Sequence, residues 1–316
     1  MVNMDNENFK FHNKYNTIII FKKKSDLSYA YQNQTAINIA KHTHNTWQKN
    51  RPYEEILENT VQGKIIEEMF EEFVRYSNKG ISYISYDDFR NDNFEKHAPI
   101  DGLLFQKENN NVKSCITKII KDVQGNQFGK ITEKTRDFLR SQAVFTVEIK
   151  SSRIPDKDYP HKIKDFNTWK NQEEIISNLR KRDFLLYPKY TRNLGKNIHN
   201  FDQYISFVKG NNSMYGAMPK DTFIKALLTE EMQDKCDIYT RIFVDKDHTD
   251  NLIAYMLGYT LRECFFYEPR IINMPRLGKS ENALYYVYPI EKSNQILDIF
   301  DDNRIWTNNK YKNERF

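Results

Sequence analysis

Two hydrophobic rhythms organise the chain. Between Tyr53 and Tyr76, Val61, Ile65, Met69 and Phe73 recur at four-residue spacing, with Ile66 and Phe70 widening the stripe. That spacing predicts one apolar face of a long amphipathic helix. Asn78, Lys79 and Gly80 form a stop signal, and Ile81 to Tyr86 reads as a strand. Pro99-Ile100-Asp101-Gly102 reads as a turn feeding the apolar strand Leu103 to Phe105, which Asn109 to Asn111 close. A helix is predicted over Thr132 to Gln142. The run Ala143 to Lys150 then has the β-rich, apolar composition of a strand buried on two sides, ended by Ser151, Ser152 and Pro155. Further on, helices over Asp165 to Leu179, Thr222 to Met232 and Asp250 to Phe265 alternate with strands over Phe184 to Tyr187, Ile238 to Val244 and Leu284 to Tyr288. Upstream lie a short strand, Thr17 to Phe21, and helical character around Thr35 to His44. This alternation predicts an α/β fold with a central mixed sheet and helices on both faces.

No repeat or Gly/Ser-rich linker divides the chain, and 316 residues suit one elaborated domain. We divide it into an N-terminal elaboration (1–55), a core that carries the chemistry (56–192) and a C-terminal α/β extension of the same domain (193–316). The lone cysteines Cys115, Cys236 and Cys264 have no metal-ligand spacing and an odd count, which predicts a reducing compartment without a disulfide framework. The polar N-terminus lacks the apolar stretch of a signal peptide, and the longest apolar runs are too short to span a bilayer. A cytoplasmic protein with no membrane partner is expected. The net charge of +5, with both signs interspersed, favours nucleic acid only slightly.

The chemistry lies in the middle region. Glu148 and Lys150 are two residues apart on a predicted strand, so both side chains point to one face. Both sit in an apolar run, where an unpaired charge is costly. Asp101 starts an earlier strand, and Gly102 beside it permits close backbone approach. If the two strands are adjacent, Asp101 and Glu148 can share one cation. The hard oxygen-liking magnesium ion is usually held by one or two carboxylates plus phosphate.

Pro99-Ile100-Asp101 followed by Glu148-Ile149-Lys150, each at the edge of an apolar β run, resembles the PD-(D/E)xK nuclease superfamily. The resemblance covers about Thr60 to Tyr190. It implies a restriction-endonuclease-like core of αβββαβ type, with Asp101, Glu148 and the Ile149 backbone carbonyl as metal ligands and Lys150 as catalytic lysine. Many members carry a further Glu as Gly-x-x-x-Glu on the preceding helix. Gly63 to Glu67 fits that pattern, making Glu67 a catalytic and metal-binding candidate with Glu71 next. Two departures stand out. The Pro lies two residues before the Asp, and the long gap from Asp101 to Glu148 requires an insertion around Lys113 to Lys134, looped out of the hairpin. The bland alternative makes Glu148 and Lys150 an exposed cross-strand pair.

Ser151, Ser152, Arg153, Lys162, Lys164, Lys189 and Arg192 are candidate DNA contacts. They belong to a basic segment interleaved with Tyr187 and Tyr190 that also holds Lys170, Arg180, Lys181 and Arg182. His42 and His44 read as a surface loop, and His97 as a neighbour of Asp101. Leu277-Gly278-Lys279-Ser280 is no phosphate loop, because Asn273 stands where the first glycine is needed. The resemblance implies a Mg2+-dependent endonuclease, with Mn2+ able to substitute, acting on double-stranded DNA and leaving 5′ phosphate. We read the subtype as type II restriction: a homodimer matched to a palindromic target, accompanied by a cognate DNA methyltransferase. A repair or anti-phage nuclease without sequence choice, and an inactive nucleic-acid-binding module, remain open at this point.

Overall fold

The computed structural model describes residues 9–12, 15–23, 34–41, 52–77, 79–155, 158, 169–190, 198–245, 251–275 and 282–306. In chain order the elements are β1 (Phe9–His12), β2 (Thr17–Lys23), α1 (34–41), α2 (Tyr53–Ser77), β3 (Ile81–Ser85), α3 (Tyr86–Phe89), β4 (Gly102–Gln106), α4 (Val112–Gly125), α5 (Glu133–Ser141) and β5 (Val144–Arg153). They continue as α6 (Trp169–Leu179), β6 (Asp183–Leu186), α7 (Phe201–Asn211), α8 (Lys220–Gln233), β7 (Ile238–Asp245), β8 (Asn251–Leu261), α9 (Cys264–Tyr267), β9 (Arg270–Pro275), β10 (Asn282–Pro289) and α10 (Asn303–Trp306).

Among the described residues, the central sheet runs β1-β2-β8-β7-β5-β4-β3, and β6-β10-β9 form a smaller antiparallel sheet. In the central sheet β5 and β7 run parallel, while the other neighbours are antiparallel. The central sheet draws strands from all three stretches of the chain, so the N-terminal elaboration, the middle region and the extension share one scaffold. Among the described residues no helix is long and apolar enough to cross a membrane.

Period-2 alternation sorts the strands onto two cores. Phe145, Val147 and Ile149 of β5 face α2, whose Ile65, Ile66, Met69, Phe70, Phe73 and Val74 are buried. Each such side chain contributes about 1.5–3 kcal/mol. Val144 and Leu103 face the opposite core, shared with Ile119 of α4, Leu139 of α5, Ile175 of α6, Leu227 of α8 and Tyr286 of the small sheet. Helices on both sides of a mixed sheet match the expected class.

Several elements depart from the sequence reading. The segment read as a helix from Asp250 to Phe265 is the strand β8, followed by the single turn α9; Asp250 itself lies outside the described residues. β8 is buried from Leu252 to Leu261 because it lies between β2 and β7 with a core on each face: Ile253 and Tyr255 on one, Ala254 and Met256 on the other. A continuously apolar run does not distinguish a buried helix from a buried strand. The run Phe184 to Leu186 does not join the central sheet. The strand parallel to β5 is β7, more than eighty positions downstream. The stretch between β4 and β5 is two packed helices, with Cys115, Ile119 and Val123 of α4 buried, and β4 and β5 still pair. Ser85 ends β3 one residue early because its hydroxyl accepts from the Asp87 amide (3.4 Å) and caps α3. Ser151 and Ser152 lie inside β5 rather than after it. His42, His44 and the Leu277–Ser280 run lie outside the described residues.

Candidate functional site

The site begins where β4 and β5 pair. The last ladder partners are Gly102 and Val147, and the Asp101 amide continues the ladder by donating to the Val147 carbonyl at 3.1 Å. Asp101 and Glu148 each lie one step beyond that last pair, near enough for the charge of Glu148 to act on Asp101. The Asp101 Oδ2 accepts from the Ile149 amide at 2.5 Å. One carboxylate oxygen is thus fixed to the neighbouring strand. In an extended residue N–H and C=O point to the same edge, so the Ile149 carbonyl turns toward Asp101 as well. Lys150 lies two residues beyond Glu148 on the same face and reaches the Tyr187 ring, 5.9 Å from its centroid. Both charged side chains are half-buried rather than exposed.

Gly102 is required here by close approach. A Cβ at this position would collide with Cζ and the hydroxyl of Tyr83 and with the Ile84 carbonyl. Tyr83 is buried and its hydroxyl has no hydrogen-bond partner, which leaves a polar group dry beside the carboxylates. Gly63 has no such duty: a Cβ there would meet nothing within 4 Å.

Glu67 comes from α2, within the buried stretch between Ile66 and Met69. Its carboxylate is paired with Lys64 one turn earlier (2.7 Å), and the same ammonium lies 2.7 Å from Asp87 of α3. Lys64 is an internal cation bridging two acids. Its burial works against the charged form, but Glu67 and Asp87 outweigh that and hold its pKa above the usual value. Glu71 is half-buried, and burial with Asp88 nearby raises it. It lines a cavity of about 70 Å³ with Glu67, Asp87 and Asp88. A larger hollow of about 460 Å³, between Asn38, Lys41, Asn93, Phe94 and Glu95, touches none of the site carboxylates.

Burial sets the electrostatics. It pushes Asp101 up to about 7, reinforced by Glu148 and opposed by Lys64. Glu148 is raised chiefly by burial, against the pull of Lys150, with Glu67 adding to the rise. Glu67 is pushed up to about 8 by burial, against Lys64 and with help from Asp101. Three acids that raise one another's proton affinity form a site short of positive charge.

The remaining sequence candidates scatter. Ser151 sits within β5 opposite Ile242, and the Ser152 hydroxyl accepts from Arg241 Nε at 3.0 Å. Arg153 pairs with Glu58 (2.6 Å) and Lys189 with Glu230 (2.6 Å). Arg180 donates to the Tyr15 carbonyl, Lys181 to Asn178, and Arg182 forks onto Asp158. The described cations of the basic segment are therefore engaged inside the chain and do not form a free phosphate-facing row. Lys162, Lys164 and Arg192 lie outside the described residues, as does the side chain of Lys170. His97 is exposed, its Nδ1 2.7 Å from the Ala98 carbonyl.

Sequence reasoning missed Lys64, Asp87, Tyr83 and Cys236. The Lys64–Glu67 spacing was readable as a helical i,i+3 pair. Asp87 and Tyr83 carry no local signal, since only the packing of β3 against α2 and β4 brings them in. Cys236, whose sulfur is 3.9 Å from Glu148 Oε2, arrives through the long-range β5–β7 pairing. Burial, and then Glu148, push its thiol well above the usual range, which makes it unreactive.

Among the described residues no group of three or more His, Cys, Asp or Glu side chains forms a ready metal cage. A magnesium ion asks for less, because water and phosphate complete its shell. The all-oxygen pair Asp101–Glu148, with burial acting on both carboxyls, fits such an ion. Glu67 is held by Lys64 and acts on the pair through its charge. Comparisons with protein-family models, with curated proteins and with solved structures each find no match to this chain.

Proposed function

We propose that the chain is a divalent-metal-dependent endonuclease that hydrolyses DNA phosphodiester bonds at Asp101, Glu148 and Lys150. The observation that carries this reading is that Asp101, one oxygen anchored by the Ile149 amide, and Glu148 flank the end of the β4–β5 pairing within reach of each other's charge, with Lys150 two residues beyond Glu148 on the same strand. Supporting it, α2 precedes an antiparallel run β3-β4-β5 and β7 lies parallel to β5, with further helices and β6 intervening in the chain.

Bound magnesium, or manganese in its place, would neutralise charge on the scissile phosphate and acidify a bound water. Asp101 and Glu148 would hold that ion from two strands. The Ile149 carbonyl adds a neutral oxygen on the same edge. Lys150, anchored at its stem in β5, orients the attacking water and meets the phosphate with its ammonium. Glu67 stays paired with Lys64.

The finer reading is a cytoplasmic type II restriction endonuclease: a homodimer on a palindromic duplex site, leaving 5′ phosphates and protected by a cognate methyltransferase. Incubating the purified protein with unmethylated phage DNA and magnesium, then sequencing the ends, tests both levels. Discrete fragments with 5′ phosphate support restriction. A smear supports a nuclease without sequence choice. Intact DNA with either magnesium or manganese would defeat the nuclease reading. Lys150→Ala is expected to cut at least about 100-fold more slowly than wild type.

A further inference from the structure

Beside Lys150 the small sheet presents two tyrosines packed at a tilt. The β6–β10 register pairs Leu186 with Tyr286, and the next positions outward bring Tyr187 against Tyr285. Their ring centroids are 4.6 Å apart at 41°, and their hydroxyls are 2.9 Å apart. Leu186 and Tyr286 turn into the core, whereas Tyr187 keeps 43% of its surface exposed. The Lys150 ammonium lies 5.9 Å from the Tyr187 centroid. Arg241 of β7 is near enough for its charge to interact with Tyr285. A partly exposed ring beside a lysine ammonium is suited to an unpaired base with its phosphate, because every base has a stacking face and a negatively charged backbone. A base inside a duplex already has both faces covered by its neighbours and cannot use such a surface.

We infer that Tyr187, backed by Tyr285, is a stacking platform for an unpaired DNA base next to the phosphate held at Lys150, so that the favoured substrate has a single-stranded or locally opened segment at the cut. This rests on the nuclease reading for the position of the phosphate, and it favours the form without duplex sequence choice over the type II restriction subtype. Stacking itself requires no cleavage, so the two can fail separately. A cross-strand tyrosine pair could serve the sheet alone, but a purely structural pair would not discriminate between DNA forms.

The test measures anisotropy of a labelled single strand, a blunt duplex and a duplex with a short unpaired gap, with calcium in place of magnesium to prevent cutting. Wild type is expected to bind the single strand and the gapped duplex more tightly than the blunt duplex. Tyr187→Ala should weaken binding to the first two by about 5- to 100-fold and leave the blunt duplex unchanged. Tyr187→Phe and Tyr187→Trp retain a ring and should stay within about twofold of wild type or bind more tightly. Quenching of 2-aminopurine placed in the gap should disappear only in Tyr187→Ala. Equal affinity of Tyr187→Ala and wild type for the single strand overturns the platform, whether or not the wild type cleaves DNA. Ring-dependent binding by a protein that cuts nothing would uphold the platform and defeat the nuclease reading.

Discussion

Gly102 and Tyr83 act as one unit: the missing side chain of the first is filled by the ring of the second. Gly102→Ala must push that ring or the Ile84 carbonyl aside, so a loss of about 1–3 kcal/mol in urea unfolding is expected. Tyr83→Phe removes a buried hydroxyl that has no partner and should leave stability unchanged or raise it by about 1 kcal/mol. A clear loss of stability would mean that the hydroxyl is paired. At this scale part of the site was legible. Period-2 spacing announced that Glu148 and Lys150 share a face, and Asp-Gly at a strand start announced a close approach. The Lys64–Glu67 pair was obscured by Glu68, Glu71 and Glu72, which make one acid on α2 look like the next. Tyr83 and Asp87 were invisible because what matters about them is proximity created by folding.

Among elements, those with a long amphipathic rhythm were readable, and α2 was found within a residue of its ends. Elements buried on every side were not: β8 shows no alternation because both of its faces are core. The position of β7 beside β5 was likewise unreadable, since parallel pairing of distant segments leaves no local trace. One residue pins that pairing. Asp237, just before β7, accepts from the Thr146 amide (2.9 Å) and hydroxyl (2.8 Å) and from Arg140 Nε of α5 (2.8 Å). Although burial alone would raise it, Arg140 and Arg262 keep its carboxyl below the ordinary range. Asp237→Ala would leave Arg140 buried without this partner, at an expected cost of about 3–5 kcal/mol. Chemical denaturation measures it, and a loss under about 1 kcal/mol would show that the contact does not hold α5, β5 and β7 together.

Across the whole molecule, protons and metal compete for one excess of negative charge. Asp101 and Glu67 sit at about 7 and about 8 in the folded chain, against about 4 when unfolded. Between those values the native state binds more protons than the unfolded state. Stability of the metal-free protein therefore falls as pH rises from about 4 to about 8. Asp237 works in the opposite sense: its contribution is present above the ordinary carboxylate pKa and is lost as acid protonates it. A divalent cation replaces the bound protons, so stabilisation by magnesium should grow between pH 6 and pH 8. Melting temperatures with EDTA and with saturating magnesium across that range give the difference. A metal effect that is flat with pH would place the ion away from these acids.

The most direct measurement is anomalous diffraction from a crystal grown or soaked with manganese. A peak between the Asp101 and Glu148 carboxylates, within about 2.2 Å of an oxygen of each, is the expected result, and it should vanish in Asp101→Asn. Manganese bound elsewhere, with these two carboxylates bare or protonated at pH 8, would contradict the account.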